Sequence, residues 1–210
     1  MSDIEDKQRI VEVASRHFRQ VGISKVTLDE IASELGMSKK TMYKFFSSKE
    51  ELLSAVVHGM MNGLRAKVEE IVGSDRSFAE KLPEILGHLG RQICTTSKQF
   101  LIDLQRFTPA LWREMDQFRR ERILTNVRQL FIQAKEEGVF RKDLDIDLFI
   151  LLFVNSVQGI VNPQVLSEHS FSMEEALRGI FKIIFEGAMT EEAKMHSQVF
   201  EKSMAMLAER

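Results

Sequence analysis

The chain has 210 residues, of which 44% are hydrophobic and 29% charged, with a net charge of −2 at pH 7. This composition can bury a sizeable core and excludes an intrinsically disordered chain. A single cysteine, Cys94, excludes an internal disulfide framework. Three prolines and many helix-period apolar stretches favour an all-α fold.

The start of the chain is polar and charged, so we expect no secretory signal peptide. The longest apolar run, residues 148–154, is far shorter than the roughly 20 residues that cross a bilayer. We therefore expect no membrane partner and a location in a reducing cytoplasm.

A first helix is predicted over residues 4–21, where apolar side chains recur on one face and Gly22 follows. The apolar pattern then predicts a helix pair within Thr27–Leu53 and a long helix from Ser48 to about Val72, with Ser48 and Glu51 as its capping box. Further helices are predicted over residues 77–93, 98–107, 109–118, 119–137, 144–161 and 173–187, and from 190 to the end. A polar loop is expected after Asn162-Pro163.

The stretch from Thr27 to Leu53 carries the most specific local pattern. Leu28, Ile31, Ala32 and Leu35 fall at i, i+3, i+4 and i+7, the apolar stripe of a helix. Thr27 and Glu30 form a capping box at its start. Gly36 follows the last apolar position, where a left-handed residue ends a helix at least cost.

A second short helix begins near Ser38, with Met42, Phe45 and Phe46 on its predicted inner face. Its predicted outer face is cationic and aromatic, formed by Lys39, Lys40, Tyr43 and Lys44. No acidic residue lies between Glu34 and Glu50. A local basic patch on a mildly acidic chain is typical of a helix–turn–helix protein that contacts DNA with one small face.

This stretch resembles the TetR family of bacterial transcriptional regulators. The pattern T-x₃-I-A-x₃-G-[V/M]-S-x₂-T-[L/M]-Y-x₂-F-x₂-K-E-x₂-L runs from Thr27 to Leu53, about a quarter of the chain. Lys40 stands at a position often occupied by glycine in the family. The resemblance implies a repressor whose dimer reads two half-sites of a pseudo-palindromic operator and leaves the DNA when a small, largely apolar effector binds. It also implies that the second helix of the pair enters the major groove.

Eight side chains are therefore expected at double-stranded DNA. Lys39 and Lys40 can reach base edges or phosphates, whereas Tyr43, Lys44 and Lys49 suit phosphates. The full predicted set is Thr27, Ser38, Lys39, Lys40, Thr41, Tyr43, Lys44 and Lys49.

We expect a helix–turn–helix domain in residues 1–50 and a helical effector-binding and dimerisation domain in residues 51–210. Aromatic side chains of the second part can line an apolar pocket or fill a core. The pocket candidates are Phe100, Leu104, Phe107, Trp112, Phe118, Phe131, Phe149, Phe153 and Gln158. The over-hydrophobic helices at 144–161 and 173–187 are the predicted homodimer surface.

Two other classes of function fit the sequence less well. An enzyme is disfavoured because the five histidines and one cysteine form no metal-ligand spacing, and no phosphate loop or nucleophile elbow occurs. We therefore expect no catalytic residue, metal or cofactor. The remaining alternative is a helical interaction protein whose helix–turn–helix binds protein instead of DNA.

Overall fold

A computed structural model describes residues 3–118, 121 and 124–195. The helices are α1 (Asp3–Val21), α2 (Leu28–Glu34), α3 (Lys39–Phe45), α4 (Lys49–Val72), α5 (Phe78–Cys94), α6 (Lys98–Phe107), α7 (Pro109–Phe118), α8 (Leu124–Glu136), α9 (Ile146–Ile160), α10 (Pro163–Glu168), α11 (Met173–Ala188) and α12 (Glu191–Met195). Within these ranges the only β pairing is an isolated antiparallel bridge between Phe140 and Met189. The all-α prediction is confirmed. None of the described helices is both long and apolar enough to cross a membrane.

The chain forms two compact units. The first unit contains residues 1–63 and 95–116, and the second unit contains residues 64–94 and 117–210. α4 and α7 therefore each contribute residues to both units. The predicted boundary after residue 50 divides the chain by function and stays a prediction. The compact units divide it differently, because the unit that holds the helix–turn–helix also includes α6.

The core of the first unit lies among α1, the helix pair and the start of α4. One face of α1 buries Ile10, Ala14 and Phe18 completely. The same unit buries side chains from α2 to α4, among them Ile31, Met42, Phe46, Leu52 and Leu53. The short helices α2 and α3 are thereby held by burial that neither could provide alone.

The core of the second unit is dominated by phenylalanine. Phe131 of α8 contacts four other rings, with its centroid 4.9 Å from that of Phe149 at 83°. Edge-to-face pairs of this kind add to the free energy of area burial. The rings of the cluster belong to Phe78, Phe131, Phe140, Phe149, Phe153, Phe181 and Phe185.

Two predicted segments differ from the structure, and parts of two others cannot be compared with it. The polar loop predicted after Asn162-Pro163 is instead the short helix α10: Asn162 caps it by accepting the Val165 N–H at 3.0 Å, and Pro163 occupies its first turn. Proline at the first helical position starts a helix as readily as it ends the previous one. α9 begins at Ile146, after the cap Asp145, and not at residue 144. Parts of two predicted helices, at 119–120 with 122–123 and at 196–210, lie outside the described residues.

Candidate nucleic-acid interface

Both ends of α2 are fixed by local hydrogen bonds that the sequence pattern predicts. The Thr27 hydroxyl accepts the Glu30 N–H at 3.2 Å, and the Glu30 carboxylate accepts the Thr27 N–H at 2.7 Å. At the other end of α2, Gly36 has φ +66°. The Met37 N–H donates to the Ala32 carbonyl at 2.8 Å and the Gly36 N–H to Ser33 at 3.1 Å. These two bonds form a Schellman motif, which fixes the direction of the chain as it enters α3.

α3 divides its side chains between the core and the surface as predicted. Met42 is completely buried and Phe46, which follows the helix, is 1% exposed. Phe45 is only partly buried, so the buried face of α3 is narrower than the face predicted from the sequence. Lys39, Lys40 and Lys44 are exposed, and half of Tyr43 is exposed. The outer surface of α3 therefore presents three cations and one phenol on one short helix.

Aspartates from other helices pair with two of these lysines. The Lys39 ammonium lies 2.6 Å from a carboxylate oxygen of Asp29 in α2. The Lys44 ammonium lies 3.0 Å from Asp3 at the start of α1. The Asp29 hydrogen bond and charge raise the pKa of Lys39. The segment between Glu34 and Glu50 contains no acidic residue, but carboxylates from outside this segment pair with two of its lysines.

The predicted hydroxyl donors are already engaged within the protein. Besides its cap bond, the Thr27 hydroxyl donates to Glu30 at 3.0 Å. The Ser38 oxygen caps α3 by accepting the Thr41 N–H at 3.1 Å, and the Ser38 and Thr41 hydroxyls lie 2.8 Å apart. A phosphate at Thr27 must displace the Glu30 carboxylate, whereas Thr41 can rotate its hydroxyl outward.

Lys49 is the first residue of α4 and is partly buried. The cap before it differs from the predicted box in one partner. The Glu51 N–H donates to Ser48 at 3.1 Å as expected, but the Glu51 carboxylate accepts the N–H and hydroxyl of Ser47, both at 2.8 Å. The N-terminus of α4 is therefore anchored by hydrogen bonds among Ser47, Ser48 and Glu51.

A buried carboxylate that sequence reasoning missed ties α6 to the turn between α1 and α2. Asp103 is 2% exposed and accepts the Ser24 N–H at 2.8 Å, the Ser24 hydroxyl at 2.9 Å and the Gln99 amide at 2.6 Å. Burial alone would raise the pKa of Asp103, but these bonds and one from the Ile23 backbone together lower it. Gly22 makes this close approach feasible.

Gly22 has φ +94°, and a Cβ built there would lie 2.6 Å from Cγ of Gln99. Nearby, the Ser97 N–H donates to the Arg19 carbonyl at 2.7 Å, and the Arg19 guanidinium donates to the hydroxyls of Thr95 and Thr96. The end of α1 is therefore hydrogen-bonded to the turn before α6, and the turn that follows α1 is hydrogen-bonded to α6 itself. The one sequence feature that could have indicated this contact is an aspartate among apolar residues in FLIDLQRF, residues 100–107.

The pocket candidates fall in both units. In the first unit Phe100 and Leu104 are buried, Trp112 is partly buried and Phe107 is 54% exposed. In the second unit Phe131, Phe149 and Phe153 belong to the phenylalanine core, and Phe118 is partly buried. Gln158 differs from these, because its amide nitrogen is buried and has no hydrogen-bond partner. Within the described residues, no group of three or more His, Cys, Asp or Glu side chains could hold a metal ion.

Comparisons with known proteins agree with this geometry. Residues 10–56 match the family model described as bacterial regulatory proteins, tetR family. The chain is 26% identical over 186 residues to the uncharacterized HTH-type transcriptional regulator YvaF of Bacillus subtilis, which covers 88% of this chain and 96% of that protein. It is 29% identical over 148 residues to the HTH-type transcriptional repressor KstR2 of Mycobacterium tuberculosis, covering 66% and 71% of the two chains.

Solved structures share the fold. A transcriptional regulator from Cytophaga hutchinsonii superimposes with a TM-score of 0.66 at 20% identity, over 87% of this chain and 98% of that one. At this identity the similarity concerns the arrangement of helices alone. The arrangement it supports is an N-terminal helix–turn–helix followed by a C-terminal helical domain.

Proposed function

This chain belongs to the TetR family of bacterial transcriptional regulators, and we propose that it is a repressor released from its operator by a small, largely apolar effector. Its relatives are named HTH-type transcriptional regulators and repressors. The chain is accordingly a DNA-binding transcriptional regulator, and a protein-binding role for its helix–turn–helix is not favoured. The observation that carries the proposal is α3, which buries Met42 while presenting its lysines and Tyr43 outward.

We propose that α3 enters the major groove. Lys40 is exposed and forms no ion pair within the described residues, so its ammonium is available to guanine O6 and N7 or to phosphate. The phenol of Tyr43 and the ammonium groups of Lys44 and Lys49 lie on or beside α3 at positions that suit phosphates. Ser38 and Thr41, at the N-terminus of α3, complete the contact surface with Lys39 and, once Glu30 moves, Thr27.

We propose a homodimer through α9 and α11, and apolar side chains of both helices that face solvent in the single chain support it. Leu148, Leu151 and Leu152 of α9 are each more than half exposed, and Ile183 of α11 is 75% exposed. Spacings of three and four residues place Leu148 with Leu151 and Leu152 on one side of α9. A second copy of the same surface would cover these side chains by two-fold symmetry.

We place the effector in the C-terminal part of the chain. The unpaired buried amide of Gln158 supports this, because a carbonyl or hydroxyl oxygen of an otherwise apolar molecule would satisfy it. Release requires the effector to bind one of two protein conformations better than the other. The division into a DNA-binding part, residues 1–50, and an effector-binding and dimerising part, residues 51–210, belongs to this proposal.

Two measurements test the proposal. Duplex DNA selected by the protein from a random pool should contain an inverted repeat, and its affinity should fall steeply with salt because phosphate contacts release counterions. No enrichment and no salt dependence would contradict DNA binding. Sedimentation at micromolar concentration should give about twice the 24.2 kDa chain mass, and a lone monomer would refute the dimer.

A further inference from the structure

Lys39 is exposed to solvent and forms an ion pair with an aspartate. Its ammonium is 2.6 Å from Asp29, and the two side chains are 72% and 46% exposed. Asp29 lies in the first turn of α2 and Lys39 in the first turn of α3, so the pair spans the helix–turn–helix. An ammonium has three donors, of which Asp29 engages one and leaves two for another acceptor.

A carboxylate at this distance changes which acceptor the lysine prefers. A DNA phosphate that bound Lys39 would come close to the negative charge of Asp29 as well as to the ammonium. Two unit charges about 4 Å apart in water interact by roughly the energy of a fivefold change in an equilibrium constant. A guanine edge is uncharged and offers acceptors at O6 and N7, so it avoids that repulsion.

We propose that Asp29 is a specificity-determining residue that directs Lys39 away from phosphates and towards a base edge. The inference rests on the proposed DNA-binding function and concerns how that surface discriminates between sequences. Asp29 lowers affinity for DNA in general and lowers it least for a site that offers an acceptor to Lys39. It acts through Lys39 and is therefore a positioning residue.

The pair between Lys44 and Asp3 provides an internal comparison. It is also exposed, with the ammonium 3.0 Å from the carboxylate, but it lies at the opposite end of α3. Lys44 additionally lies over the ring of Phe45, 5.4 Å from its centroid. Because we place Lys44 at a phosphate, Asp3 opposes binding equally on every sequence.

The test uses the full-length chain with two duplexes, one selected from a random pool by the wild-type protein and one with the same bases scrambled. The variants are Asp29→Asn, Lys39→Ala and the double variant, with Asp3→Asn as the control that removes the same charge near the other end of α3. Asparagine keeps the size and hydrogen-bonding capacity of aspartate, and thermal unfolding checks that each variant is folded.

Asp29→Asn should tighten binding to the scrambled duplex roughly fivefold and to the selected duplex less than twofold, so discrimination falls. Asp3→Asn should tighten both equally. With Lys39→Ala present, Asp29→Asn should no longer change the ratio of the two affinities. Equal tightening by Asp29→Asn, or a loss of discrimination that persists without Lys39, overturns the inference while leaving DNA binding intact. Wild-type protein that binds neither duplex overturns the proposed function as well.

Discussion

Short helices in the first unit begin and end with hydrogen-bonded caps and turns and are held by burial, whereas the core of the second unit is a cluster of phenylalanine rings packed mostly edge to face. α2 and α3 have seven residues each and depend on caps at Thr27 and Ser38 and on the Schellman turn at Gly36. In the second unit, Phe131, Phe149 and Phe185 pack mainly by burial. Directional bonds specify positions that DNA can read, while burial tolerates many sequences of similar volume. The residues that match the family model, 10–56, all lie in the first unit.

The largest effect is expected from emptying the phenylalanine core. Phe131→Ala should lower the free energy of unfolding by about 3–5 kcal/mol, because it leaves a cavity among four rings. Phe131→Met, which keeps much of the volume, should cost about 1.5 kcal/mol. Urea denaturation measures both. Equal losses for the two variants would contradict the view that this core depends on volume more than on shape.

Two glycines in the first unit should differ sharply on replacement by alanine. Gly22→Ala should cost about 2–4 kcal/mol, because left-handed strain adds to a Cβ pressed against Gln99. Gly36→Ala has the same kind of φ but open space around the Cβ, so it should cost about 1 kcal/mol. Thermal unfolding of the two variants compares them directly, and similar costs would argue against a close approach of α6 to Gly22.

Replacing the buried carboxylate of Asp103 in α6 should lower the free energy of unfolding, because its hydrogen bonds depend on its charge and geometry. Asp103→Asn should lower the free energy of unfolding by about 1–3 kcal/mol at pH 7, because charge-assisted bonds to Ser24 and Gln99 become neutral or are lost. The matching control is Asp143→Asn, an exposed aspartate for which we expect a change within about 0.5 kcal/mol.

The same residue gives a pH dependence with a definite sign. The folded pKa of Asp103 is lowered from its usual value of 3.8, so its stabilisation is present above that value and is lost as pH falls through the folded pKa. Wild-type protein should therefore lose more unfolding free energy than Asp103→Asn on acidification from pH 5 towards pH 2. Parallel pH profiles of the two proteins would contradict this assignment.

The smallest expected effects lie on the proposed DNA-binding surface, where single contacts add to several others. Tyr43→Ala and Lys49→Ala should weaken binding to all duplexes alike, and Lys49→Ala should also reduce the salt slope by about 0.9. Lys40→Ala should in addition change the preferred sequence. Gel shifts over altered operators at several salt concentrations measure both effects. If Lys40→Ala lowered the affinity for every operator equally, Lys40 would contact a phosphate and not a base.

Much of the first unit was accessible from the sequence. The box at Thr27 and Glu30 and the turn at Gly36 depend on residues within one or two helical turns, and both are present. The burial of Met42 and Phe46 was predicted from the helical period and is also present. The helix α10 was missed because Asn162-Pro163 is compatible with both an end and a start. The bond between the Glu51 carboxylate and Ser47 was missed for a similar reason, since adjacent serines compete as partners.

By itself the sequence determined the helix periods, the caps of the helix–turn–helix and the identity of the cations on α3, because those features are local. Only the tertiary structure decided which residues from elsewhere in the chain form hydrogen bonds or ion pairs with these local features. Asp103 is 79 residues from Ser24, and Asp3 is 41 residues from Lys44. No local pattern specifies such distant pairs, since they form only when burial of Ile10, Phe18 and Met42 brings their helices together.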